Sequence, residues 1–179
     1  MKAFVFGCTL LIACEANQVP DYYVDAARER ITTRQGITYR GDMPFSGWVY
    51  QLSASGDTMA LTPYLRGKEE GMAQRWYANG QLSEQRFYHQ GKKESEHRGW
   101  YANGRRRFLY HYKNDLYDGN VKEWQADGRP YRNFNYAMGY EAGRQQMWES
   151  DGRLKANYDV RDGRKYGLTG SKNCQSAAQ

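Results

Sequence analysis

The sequence predicts a mainly β fold, an elongated single-layer antiparallel meander, on three observations. Glycine returns every 24 residues, at Gly56, Gly80, Gly104, Gly128 and Gly152. A second turn signal follows each of these, at Gly67, Gly91, Asp115, Gly139 and Gly163, so each unit holds two strands and reads as a β-hairpin. The composition agrees: among 179 residues are 16 Tyr and 19 Gly, a balance that favours strands and turns over helices.

The chain opens with Lys2 and an apolar run from Ala3 to Ala13. That run is about half of the ~20 residues a spanning helix needs, so residues 1–13 read as a signal peptide. Its end, Leu11-Ile12-Ala13-Cys14, resembles the lipobox of bacterial lipoproteins. The resemblance implies that Cys14 is diacylated and becomes the mature N-terminus, held on a membrane by lipid rather than by protein. Glu15 follows where an Asp would favour inner-membrane retention, which points to the outer membrane, facing the periplasm. With Cys8 removed and Cys14 lipidated, Cys174 has no intramolecular partner.

Residues 14–36 read as a linker containing one short helix, "DYYVDAARERI" at 21–31, with Pro20 and Asp21 as its start signal. The hairpin region then runs over 37–168, and 169–179 is a polar tail. Within the hairpins, Leu52, Trp76, Trp100, Trp124 and Trp148 stand four residues before the turn glycines, and Ser55, Asn79, Asn103, Asp127 and Asp151 just before them. Ala-Asn-Gly, Ala-Asp-Gly and Ser-Asp-Gly suit a three-residue loop with Gly in the left-handed region.

With an odd loop, Trp76 opposes Leu82, and residues an even number from the Gly share a face. If the second loop is odd as well, that face collects Trp76, Trp100, Trp124 and Trp148 with Tyr88, Phe108, Tyr110, Tyr112, Phe134, Tyr136, Tyr158 and Val160. The opposite face then carries Arg105, Arg107, Arg129, Arg153 and Lys155 near one set of turns. The first unit departs, because Met59, Leu61 and Leu65 fall at odd offsets, as a bulge would make them.

"WYANGQL" with "YHQGKKES", and "WESDGRL" with "VRDGRKYG", resemble the bacterial MORN repeat of YwqK-type proteins, over residues 37–168 and about five units. Such proteins are commonly described as antitoxins or immunity proteins. The resemblance therefore implies a non-enzymatic scaffold that binds a protein partner, a toxin or an envelope protein. Candidate partner contacts are the row Trp76, Trp100, Trp124 and Trp148 and the basic residues Arg105, Arg107, Arg129 and Arg153. A net charge of +6 also admits a second reading, recognition of anionic lipid by the repeats.

Other classes find no footing. His89, His97 and His111 are too scattered for a metal site. There is no phosphate loop before a helix, no nucleophile elbow and no paired-Cys motif, so neither a cofactor nor an enzyme is expected. No nucleic-acid-binding signature accompanies the charge.

Overall fold

In a computed structural model, residues 18–170 are described; the signal segment, Cys14 and Cys174 lie outside them. The described chain is 63% strand with no helix. It begins with β1 (Tyr23–Asp25), β2 (Ile31–Arg34), β3 (Ile37–Arg40) and β4 (Met43–Pro44). Then follow β5 (Gly47–Leu52), β6 (Thr58–Leu65), β7 (Lys68–Glu69), β8 (Gly71–Trp76), β9 (Leu82–His89) and β10 (Lys92–Lys93). The remainder is β11 (Ser95–Trp100), β12 (Arg106–Lys113), β13 (Leu116–Trp124), β14 (Pro130–Ala137), β15 (Tyr140–Glu141), β16 (Gly143–Trp148), β17 (Leu154–Arg161) and β18 (Arg164–Leu168).

Strands β2, β3 and β4 form a small sheet, and the other 15 form one elongated meander from β1 to β18. Apart from the parallel pair β1 and β5, its pairings are antiparallel. Among the described residues, no helix is long and apolar enough to cross a membrane.

The helix expected at 21–31 is not there. Residues 23–25 instead lie parallel to β5, with Tyr23 opposite Trp48 and Val24 opposite Val49. Burial decides this: Val24 packs with Phe45 and Val49, and Tyr23 stacks on Trp48 at 5.9 Å. A helix would expose part of that surface. Only one helix-like turn remains, with Glu29 N–H on the Asp25 carbonyl at 3.0 Å and Ala27 N–H on Asp25 Oδ1 at 2.9 Å.

The three-residue loops form as the sequence predicts. Gly56, Gly80, Gly104, Gly128 and Gly152 all have positive φ, between 79 and 93°, and Gln81, Arg105, Arg129 and Arg153 N–H donate to the carboxyl or amide oxygen two residues earlier. The second loops differ from an odd span. Arg66-Gly67, Gln90-Gly91, Asn114-Asp115 and Met138-Gly139 are two-residue turns with both φ positive, the geometry whose twist matches a hairpin.

The registers also overturn the single aromatic face. In each hairpin the ladder shifts between Gln51 and Leu52, Arg75 and Trp76, Gly99 and Trp100, Glu123 and Trp124, or Met147 and Trp148. Arg75 pairs with Glu84, but its neighbour Trp76 pairs with Leu82, so one residue of the return strand is skipped. Trp76 does oppose Leu82, but the pair sits on the other side of the sheet from Glu84, Arg86 and Tyr88. Alternation counted from the turn fails because the bulge resets it.

The side bearing the tyrosines therefore draws on different residues of the first strands. His97 and Gly99 lie opposite Tyr110 and Phe108, Val121 opposite Phe134, and Gln145 and Met147 opposite Tyr158 and Ala156. Here are three of the most buried side chains, His97 at 1% exposure and Gln145 and Val121 at 0%. The first hairpin keeps the same frame, with Ala60 opposite Gln51 and Leu61 opposite Tyr50.

Candidate functional site

The side bearing the tyrosines carries a run of aromatic contacts. Phe108 stacks on Tyr110 at 4.5 Å and Tyr112 on Tyr117 at 4.7 Å. Tyr117 meets Tyr136, and Phe134 meets Tyr158. Such cross-strand pairs contribute about 0.2–1 kcal/mol each, and together they replace a second packed layer as the source of burial.

A groove of about 480 Å³ opens in this face, lined among others by Arg86, Tyr101, Arg107, Phe108, Glu123 and Tyr131. Its floor depends on Gly99. Phe108 lies across it so closely that a Cβ there would stand 2.1 Å from the ring. A larger residue would lift the ring into the groove.

On one wall, Glu84 accepts from Arg86 Nε at 2.8 Å and from Arg107 Nη2 at 2.5 Å. Burial alone would push its carboxyl up, but the hydrogen bonds and charges of Arg86 and Arg107 hold it below the ordinary range. Both guanidiniums also lie against the Phe108 ring, at 5.8 and 5.1 Å. On the other wall, Glu123 accepts from Tyr110 Oη at 2.6 Å and pairs with Arg132. Burial, reinforced by Glu123, raises the Tyr110 hydroxyl well above the ordinary phenol value, so at neutral pH it is a donor.

His97 sits between Tyr88 and Tyr112, at 5.4 and 4.7 Å. Its Nε2 faces the Phe87 carbonyl at 2.8 Å, which can only accept, so this nitrogen carries the proton. Its Nδ1 has no hydrogen-bond partner. Burial lowers its pKa, and the ring is a neutral structural member. Gln145 does the same work 48 residues later, exchanging bonds with Asn135 N–H and carbonyl at 3.0 and 2.9 Å. Among the described residues, no group of three His, Cys, Asp or Glu could hold a metal ion.

The sequence-derived contact residues separate. Trp76, Trp100, Trp124 and Trp148 are half-buried at the register shifts, and the carbonyls of Trp100 and Trp124 receive Tyr77 and Tyr101 hydroxyls. Arg105 donates to the Asp127 carbonyl. Arg129 and Arg153 pair with Asp127 and Asp151 beside them, so the turn edge is less basic than its arginines suggest. Arg107 alone leaves that group. It is the skipped residue of its return strand, and the bulge turns it onto the aromatic side beside Glu84.

The sequence does not single out Arg86 or Tyr131, and in it Glu84 and Glu123 read as solvated carboxylates, whereas their side chains are only 14% and 20% exposed. A signal existed in the matching positions Arg75 with Glu84 and Glu123 with Arg132, which are opposite charges directly across the strands. Comparison with protein-family models finds no match, and no curated protein matches the chain.

Proposed function

We propose that the chain is a non-enzymatic MORN-type repeat protein of about five units, carried by lipid on Cys14 and acting in the cell envelope as a protein-binding scaffold. In this reading it blocks a partner in the manner of an antitoxin or immunity protein, and the partner reaches it outside the cytoplasm. The observation that carries the reading is the open groove over Phe108, edged by the exposed Tyr131. An aromatic floor with charged walls is what a protein contact uses for both affinity and orientation. Recurrent turns and register shifts every 24 residues support the repeat count.

The test is a photo-crosslinking amino acid placed at Tyr131 or, on the opposite side, at Arg144, in membranes of the native host. One protein adduct from position 131, absent from position 144, is expected. Equal adducts from both positions, or none from either, would sink the reading.

A further inference from the structure

Charge around the groove is uneven. At its Glu84 end, Arg75, Arg86, Lys93 and Arg107 share the tyrosine-bearing side with Glu69 and Glu84: Arg75 is the cross-strand partner of Glu84, Lys93 stands over Tyr112, and Glu69 pairs with Tyr64. Four cations thus face two carboxylates. At the other end the Glu123 charge is matched by Arg132. The side chains of Arg86 and Arg107 remain 36% and 37% exposed, while Glu84 beneath them is 14% exposed. The carboxylate is covered and the guanidinium edges are not.

From this we infer that the groove takes an acidic segment of its partner, an extended stretch with carboxylates beside an aromatic residue. This rests on the reading of the chain as a protein-binding scaffold. The carboxylates meet Arg86 and Arg107, whose planar forks suit bidentate pairing. The aromatic residue lies on the Phe108 and Tyr131 side, where Gly99 leaves depth. Glu84 has a definite part in this. It holds the two guanidiniums side by side over the ring, so the receptor is oriented before the ligand arrives.

The experiment uses the full-length lipidated protein in detergent micelles and two capped peptides, Glu-Glu-Phe-Glu-Glu and Gln-Gln-Phe-Gln-Gln, followed by NMR shift perturbation. The acidic peptide is expected to bind, with contacts at Phe108 and Tyr131, and to weaken as salt rises. Arg107→Gln and Arg86→Gln should each weaken it about tenfold, the loss of a charge-assisted pair, and Arg129→Gln at the turn should not. Glu84→Gln leaves one acceptor oxygen for two guanidiniums and so removes their alignment. It should weaken binding despite the added positive charge, with the spectrum of the free protein otherwise unchanged. Unchanged or tighter binding would overturn the part given to Glu84.

Equal binding of both peptides, no binding of the acidic one at low salt, or equal losses in Arg129→Gln and Arg107→Gln would overturn the inference. So would a neutral N-acetylglucosamine oligomer that takes the groove while the acidic peptide does not. Crosslinking from position 131 separates the two levels. An adduct that persists unchanged in Arg86→Gln and Arg107→Gln removes the acidic segment and leaves the scaffold.

Discussion

At the scale of single residues, Gly99 and His97 show how the tyrosine-bearing side is built. Gly99 is there because Phe108 occupies the space its side chain would need. Gly99→Ala drives a Cβ into the ring at 2.1 Å, and should destabilise the fold by about 1–3 kcal/mol, the usual cost of overpacking. Chemical denaturation measures it, and an unchanged midpoint would mean the ring moves freely. His97 is held neutral by burial. Its folded pKa lies below the ordinary ~6.5, so as pH falls through that value the unfolded chain takes up a proton that the folded chain refuses. Its stability contribution is present above ~6.5 and is lost as pH falls toward the lowered folded value. His97→Phe should flatten the fall in stability as pH drops below ~6.5. The Phe87 carbonyl then loses one of two donors and keeps Glu94 N–H at 3.0 Å, at a cost of about 0.5–1.5 kcal/mol at neutral pH. Melting temperatures across that range decide it, and parallel curves for the two proteins would rule it out.

At the scale of elements, the Trp-Tyr-Ala-Asn-Gly turns are joints between hairpins. Tyr77 Oη donates to the Trp100 carbonyl at 2.9 Å and Tyr101 Oη to the Trp124 carbonyl at 2.7 Å. Asn79 and Asn103 Nδ2 donate to the Ala102 and Ala126 carbonyls. The opposite turns are tied as well, with Glu70, Glu94 and Asp118 accepting from Gln90, Asn114 and Met138 N–H. Each hairpin therefore braces a neighbour at both ends, and motifs that look like a site serve as fasteners. Tyr77→Phe, away from the groove lining, should lose about 0.5–1.5 kcal/mol, one half-buried hydrogen bond. Calorimetry should show the loss without a change in peptide binding at the groove; a binding defect would place Tyr77 in the contact itself.

At the scale of the whole molecule, the sheet has a covered beginning and, among the described residues, no strand beyond β18. Strand β1 lies along the β5 edge, and the cluster of Val24, Phe45 and Val49 closes the core there. Strand β18 ends the strand order, with Arg164 and Lys165 among its exposed residues, charges of the kind that discourage edge pairing. The proposed placement in the cell rests on Cys14, outside the described residues. Cys14→Ser should move the protein from the membrane fraction to the soluble fraction, since more than one acyl chain is needed for stable attachment. Retention on membranes after that change would show that the sheet or another segment holds it there.

Much of the fold was legible in the sequence. The 24-residue spacing of Gly80, Gly104 and Gly128 announced the hairpins, because only a left-handed position in a short loop demands glycine so regularly. Asn79 and Asn103 announced the turn type. The groove was not legible. Trp76 and Trp100 were expected beside the tyrosines, and Arg107 away from them, because alternation was counted from the turn without the register shift. Leaving out one skipped residue such as Arg107 exchanges the faces of everything between it and the turn.

The short helix expected at 21–31 failed for a related reason, since its local signals could not weigh the burial of Val24 against Phe45 and Val49. The sequence by itself determined the period, the three-residue turns at the 24-residue glycines and the strand count per unit, which depend on backbone conformations that single residues dictate. Tertiary structure alone decided which residues share a side, and so brought Arg86, Arg107, Phe108 and Tyr131 around one groove. Register is set by pairing between strands, and no single position in the chain carries it.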